Sequence, residues 1–286
     1  MLHDNIFSVW FQRKQGKIIV IHAFLLLGSL IFLFPLAWMV STSLKPLEET
    51  MTIPPRWLPS ELRWENYREA VQAIPFFLYA RNTVYVAVMG ALGMVFSSSL
   101  VAYGFSRIDW PGRDMFFYLT LGTMMVPFPV VMVPLYAIFR ELHWIGSFKP
   151  LWVPAWFGAA FNIFLLRQFF LTVPKELSDS ARIDGCNEFG IYARIVLPLA
   201  RPALAVVALF HFLYAWNDFL GPLLFLTRQE TFTLSLGLQF FQSQHGGTMW
   251  NHLMAASTLV ILPVILLFFF TQKTFIQGIT FTGLKG

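Results

Sequence analysis

Between residues 18 and 40 the chain carries no Asp, Glu, Lys or Arg, only a long apolar run with Trp38 near one end. About 20 such residues in a helix cross the ~30 Å hydrocarbon core of a bilayer, and lipid admits only helices and closed barrels because every backbone polar group must be satisfied internally. The run is too long for the apolar core of a signal peptide, and no small-residue cleavage site follows it. It therefore reads as a retained first span. Further apolar stretches over roughly 76–105, 115–139, 151–170, 202–226 and 253–270 predict five more. Composition agrees: 57% of residues are hydrophobic and 12% charged, about half the charged share of a soluble domain. The expectation is an all-α integral membrane protein of six transmembrane helices. A segment 1–17 precedes the membrane domain, which covers 18–271, and a tail of 272–286 follows it.

Details within the spans carry further expectations. Pro127, Pro129 and Pro134 lie in the third apolar stretch, whose backbone must be interrupted there and satisfied by neighbours or water. Trp152 and Trp156 suit an interfacial belt at the start of the fourth. Residues 44–75 are polar and rich in proline, with a short surface helix expected over 60–73, and 228–250 reads as a polar loop. The lone Cys186 forms no internal disulfide, and His245 and His252 stand seven apart with no further ligands, so no metal site is expected.

Orientation follows from Lys and Arg. With six spans, twelve basic residues fall on the side that holds both termini, the 106–114 loop and the region around 167–201, against eight on the other. Loops on the second side are longer in total, so its basic density is lower and the first side is cytoplasmic. The net charge of +5 is a matter of topology and does not call for nucleic acid.

The most informative polar stretch, about 172–200, lies on that cytoplasmic side. Pro174 suits a first helical turn, and Glu176 complements the positive end of the helix dipole. Gly185 is a good residue to stop that helix, Asn187 can cap a second one, and Pro198 ends it. A rigid helix-turn-helix bracket facing water is predicted.

The series Asp179-Ser180-Ala181, Gly185 and Ile195-Val196-Leu197-Pro198 resembles the EAA loop of permease subunits in binding-protein-dependent ABC importers. Flanking residues (Arg182-Ile183-Asp184, Arg194, Leu199) look most like the carbohydrate branch, the second permease type of the maltose transporter. The resemblance extends over nearly the whole chain, including 103–107, 165–170, 216–219 and the tail from Phe275. Asp179 stands where the motif usually has Glu, and Ser180 where it has the first Ala, which shortens the reach of any ion pair there.

The resemblance implies a type I ABC importer permease fold in a bacterial or archaeal cytoplasmic membrane, with both termini cytoplasmic. It implies a second permease subunit, two ATPase subunits that carry ATP and Mg, and an extracytoplasmic sugar-binding protein. This chain would bind no cofactor itself. Glu176, Asp179, Ser180, Ala181, Asp184, Gly185 and Glu188 would form the ATPase-coupling site, with the carboxylates offered to basic groups on the partner. The tail would reach between the ATPase subunits, and Gln242, Gln244, Gly246 and Gly247 correspond in position to a loop that enters the binding protein's cleft.

Residues 216–218 (Trp216, Asn217, Asp218) lie toward the outer end of the fifth span. A carboxylate at membrane depth is costly and faces a cavity or partner. These groups either line a solute path, with Asn and Asp for hydroxyls and Trp216 for a sugar face, or fix the helix by an interhelical hydrogen bond; the structural role is favoured. Asn82 is a weaker candidate of the same kind, as is Asn162. The chain has no Gly-x-x-x-x-Gly-Lys-Ser/Thr loop, so uphill transport must draw its energy from a partner. A secondary transporter or channel fits less well, because the spans lack charge pairs and no inverted repeat is visible. A membrane enzyme lacks a convergent His, Glu or Cys set. Within the importer class, the alternative solute is a polyol or glycerol phosphate.

Overall fold

The computed structural model describes residues 2–242 and 247–283, with side chains described for 17–242 and 247–272. The chain divides into two compact units, Met1–Ala73 with Phe241–Leu259, and Ile74–Phe240 with Val260–Gly286.

In the first unit, α1 (Leu2–Ser43) contains the apolar stretch Lys17–Ser43, and none of its most apolar window is buried. The polar segment after it folds around a lysine. Lys45 is fully buried, its Nζ donates to the Arg56 carbonyl at 2.6 Å, and it lies 4.0 Å from the centre of the Trp38 ring. Burial lowers the Lys45 pKa, while the Glu49 carboxylate opposes that shift. The ring and the carbonyl supply what water would have given the ammonium. Trp57 packs edge-on against Trp38 at 5.4 Å. The surface helix expected over 60–73 is the shorter α2 (Glu65–Ala73). Its Asn66 donates to the carbonyls of Ser43 and Lys45, both at 2.9 Å. Residues 250–259 complete the unit through Asn251 Nδ2 on Asn66 Oδ1 (3.1 Å) and His252 Nε2 on Glu69 Oε2 (2.9 Å).

The second unit is built on α3 (Phe76–Arg107). Small residues on its inner face let rings come close: the His211 imidazole packs on Gly90 and the Trp156 indole on Gly93, where a Cβ would collide with each. α4 (Arg113–Gly122) and α5 (Phe128–Glu141) follow, separated by a 97° bend at Val126-Pro127. The proline run breaks the third span as expected. The fourth span is also interrupted, which the sequence reading did not anticipate. α6 (Lys149–Trp152) tightens into a 3₁₀ turn over Val153–Phe157, and Gly158 at φ +79° leads into α7 (Ala160–Thr172). Pro154 has no N–H to give the helix, and the positive φ at 158 ends the turn.

α8 (Lys175–Ile183), α9 (Glu188–Ile191) and α10 (Leu197–Leu199) make the bracket. A π-turn over Tyr192–Val196 joins the last two. Pro198 cannot donate to the carbonyl four residues back, and the wider turn accommodates that loss. So Pro198 distorts the second bracket helix from within its last turn, and the helix ends only at Ala200.

α11 (Arg201–Asn217) runs about 25 Å at 1.5 Å per residue. It stops at Asp218, and α12 (Leu220–Phe225) restarts the chain, so the fifth span is not one helix. The expected loop 228–250 instead contains α13 (Leu234–Gly237), with Leu234 and Leu236 buried. α14 (Trp250–Gly283) is the last helix. Among the described residues, four helices are long and apolar enough to cross a membrane. Two bent pairs, α4 with α5 and Glu188–Leu199 with α11, would raise the number to at most six by length and composition if each were one span, although the first part of the second pair is bracket. The core gathers Tyr103, Phe105, Phe117, Leu166, Phe170, Ile191, Tyr192 and Val207, all buried.

Candidate functional site

The bracket is closed by its own backbone. Cys186 N donates to the Ala181 carbonyl at 2.9 Å and Gly185 N to that of Arg182 at 3.1 Å, the paired bonds of a Schellman cap. Gly185 sits at φ +84°, which only glycine adopts without strain. Two residues on, Asn187 Oδ1 accepts from Gly190 N at 2.8 Å and starts α9. Pro174 occupies the N-cap of α8, one position before the first-turn place expected for it.

Three of the bracket's charged groups pair inside it. Arg182 donates from Nη1 to Asp179 Oδ1 and from Nε to Glu188 Oε1, both at 2.7 Å. The Arg182 guanidinium holds the Glu188 carboxyl below the usual carboxylate range and is itself raised by it. Glu176, Ser180 and Asp184 are exposed, and Ser180 Oγ turns back to the Glu176 carbonyl at 2.8 Å. Ser178 and Ala181 are buried. Beside these polar groups the bracket offers apolar side chains outward: Ile183 is 87% exposed, Phe189 67% and Leu177 44%.

Contacts with α3 position the bracket. Tyr103 donates its hydroxyl to Glu188 Oε2 at 2.6 Å and packs edge-on against Tyr192 at 5.3 Å. The Tyr192 and Ser99 hydroxyls share a hydrogen bond of 2.7 Å. Arg107 reaches the Phe170 and Val173 carbonyls just before α8. Arg167 donates to the Phe105 carbonyl at 3.1 Å and lies over the Phe117 ring.

A cavity of about 460 Å³ opens in the same unit, within the size range of small-molecule sites. Phe128, Phe139, Phe161, Phe210 and Phe225 give it aromatic walls, and Asn162, His211, Tyr214 and Asp218 give it polar groups. Asn162 Oδ1 and His211 Nε2 are buried without a hydrogen-bond partner among the described residues. Among the described residues, no Lys or Arg lines this cavity. A larger hollow of about 700 Å³ is walled mostly by apolar side chains of α3, α11 and α14, which suits lipid tails better than a polar solute.

Of the four side chains expected on a solute path, only Asp218 lines the cavity, and its Oδ1 also accepts from Gly221 N at 3.1 Å to start α12. The other three make structural bonds. Asn82 Nδ2 donates to the Glu230 and Phe232 carbonyls, both at 2.9 Å. Trp216 Nε1 donates to that of Val260 at 3.3 Å, and Asn217 Nδ2 to that of Leu213 at 2.8 Å. His211 was missed, although a histidine between two phenylalanines in an apolar span is itself a signal. Gln242 and Gly247 are exposed; Gln244 and Gly246 lie outside the described residues, as do the side chains of 273–286 in the tail. Among the described residues, no group of three His, Cys, Asp or Glu could hold a metal ion.

The family model for the inner membrane component of binding-protein-dependent transport systems matches residues 93–281, a stretch that includes the bracket and the cavity. The chain belongs to this family. Among its relatives, the arabinooligosaccharide transport system permease protein AraQ of Bacillus subtilis is 36% identical over 94% of this chain and 96% of its own. The trehalose/maltose transport system permease protein MalG of Thermococcus litoralis is 32% identical over 91% and 94%. The sn-glycerol-3-phosphate transport system permease protein UgpE of Pectobacterium atrosepticum is 31% identical over 94% and 98%. A solved bacterial ABC transporter involved in import of the acidic polysaccharide alginate has a chain of the same fold, with a TM-score of 0.78 over 89% of this chain and 95% of that one at 24% identity. The protein is an ABC importer permease, embedded in the inner membrane by its apolar helices.

Proposed function

We propose that this permease is the transmembrane subunit of an ATP-driven carbohydrate importer and that its bracket is the dock for a cytoplasmic ATPase. The observation that carries this reading is the bracket itself: two helices locked by a Schellman cap, with Leu177, Ile183 and Phe189 facing outward. Exposed apolar side chains on a rigid polar rim are the usual mark of a protein partner site. The higher basic density on the bracket's side supports a cytoplasmic placement for it and for both termini. ATP and Mg belong to the partner ATPase, and this chain performs no covalent chemistry. A second permease would enclose the pathway with it, and an extracytoplasmic binding protein would deliver solute to the 228–250 region. ATP-driven closure of two ATPases would draw the two brackets together and rock the spans about a midplane site.

The arabinooligosaccharide and trehalose/maltose relatives favour a carbohydrate, as does the cavity. Aromatic faces suit sugar rings, Asn162, His211, Tyr214 and Asp218 suit hydroxyls, and an anion would want a basic group that this wall lacks. The glycerol-phosphate relative keeps a second solute class in play, for which the partner permease would have to supply the positive charge. Reconstituting the chain with its co-expressed partners and measuring ATP hydrolysis against a panel of binding-protein complexes tests both. Stimulation by a neutral oligosaccharide supports the proposal. Stimulation by sn-glycerol 3-phosphate alone selects the second reading, and a chain that purifies with no ATPase refutes the dock.

A further inference from the structure

We propose that Tyr103 is a positioning residue that couples the bracket to the membrane unit, its hydroxyl joining α3 to the Glu188 carboxylate. The inference rests on the reading of the bracket as an ATPase dock and goes beyond it by naming where the dock's movement enters the spans.

Three elements meet at one carboxylate. Glu188 is the first residue of α9; its Oε1 takes Arg182 Nε from α8 and its Oε2 takes the Tyr103 hydroxyl from α3. Arg182 reaches Glu188 only across the turn that Gly185 closes, so the Tyr103 contact registers the geometry of the whole bracket. Tyr103 is buried and its ring is held by Tyr192, which is anchored in turn by Ser99 one helical turn away on α3. The hydroxyl is therefore aimed by packing and has little freedom to search for another acceptor.

α3 can carry a displacement onward. Met94, nine residues before Tyr103, lines the cavity, and the distance along the helix is about 13 Å. Between and beyond them the helix is gripped without slack. Ser97 Oγ donates to the Ala155 carbonyl at 3.2 Å, and Gly93 and Gly90 lie directly under the Trp156 and His211 rings. Close-packed interiors transmit strain, so a tilt imposed at Tyr103 must move the cavity wall or break these contacts. Val173, immediately before α8, is tied to α3 as well through Arg107, so α3 fixes the bracket at its entry and at its turn.

Tyr103→Phe keeps the ring and its packing and removes only the hydroxyl. In the assembled transporter, with ATPase and binding protein in proteoliposomes, solute taken up per ATP hydrolysed should fall roughly fivefold, the equivalent of one net hydrogen bond. ATPase affinity should stay within error of wild type, and the thermal unfolding midpoint should fall by no more than the few degrees that the loss of one net hydrogen bond costs. Glu188→Gln, which keeps an acceptor for Tyr103, should retain more of the ratio than Glu188→Ala. Tyr103→Phe combined with Glu188→Ala should be no worse than Glu188→Ala alone. An unchanged uptake-to-hydrolysis ratio in Tyr103→Phe overturns the proposal while leaving the importer reading intact, as does a loss of uptake matched by an equal loss of bound ATPase. Absence of solute-stimulated hydrolysis in the wild type overturns both.

Discussion

Replacing Ile183 with alanine isolates the apolar face of the bracket from its charges. Ile183 is 87% exposed, so its side chain contributes little to the chain's own stability, and the unfolding free energy should change by no more than ~0.5 kcal/mol. Docking against an ATPase would bury it. Alanine lacks three of its carbons, each worth about 0.8 kcal/mol on burial, and scaling by the exposed fraction leaves about 2 kcal/mol. That corresponds to a loss of roughly thirtyfold in ATPase affinity. Leu177→Ala, at 44% exposure, should cost about half as much energy and about fivefold in affinity. The assay is equilibrium binding of the purified ATPase to the permease in lipid nanodiscs, with the unfolding midpoint measured on the same samples. A dissociation constant within twofold of wild type for Ile183→Ala would refute the reasoning. So would a larger effect from neutralising Glu176 or Asp184, which would place the dock's energy in its charges.

Gly185→Ala meets no atom within 4 Å of the added Cβ, so its cost is backbone strain alone, about 1–2 kcal/mol, read as a small drop in bracket stability by hydrogen exchange of Cys186 and Gly190 amides. Gly185→Pro should abolish solute-stimulated hydrolysis while the chain still inserts, because the ring fixes φ near −65° and deletes the amide that bonds Arg182. The folded Glu188 pKa lies below its unfolded value, so its contribution is present above the usual carboxylate pKa of ~4.3 and is lost as pH falls through the lower folded value. Thermal unfolding of wild type should therefore lose more than that of Glu188→Gln between pH 6 and acidic pH. Lys45→Met keeps the stem but removes the Arg56 and Trp38 contacts, and should lower stability by about 1–3 kcal/mol in chemical denaturation.

The bracket was legible because its signals are local. A glycine that must take a positive φ and an asparagine that caps the next helix act within a few residues, and both stand where the sequence places them. The π-turn is local in origin too, but Pro198 permits either a stop or a widened turn, and the packing of Tyr192 on Tyr103 is consistent with the second. Apolar runs marked the spans and the proline run the break in the third, but neither marked the breaks in the fourth and fifth. Uniformly apolar segments do not reveal which face is buried, so polarity marked Asn162 as a candidate without showing the cavity it lines, and His211 was missed. Asn82 and Trp216 carried two readings, with the structural one favoured, because polar atoms at membrane depth demand partners; backbone carbonyls more than 40 residues away in the chain accept from both. Asp179 and Glu188 stand within reach of Arg182, an internal pairing across the turn that spacing alone did not reveal.

The most apolar window of the first helix has no buried residue and is long enough to span the bilayer by itself. Helices of that kind are stable in the bilayer on their own, before any packing occurs. It can therefore enter the membrane while the remainder of the chain is still being translated. Its orientation then biases that of the segments that follow before the bracket or the cavity exists.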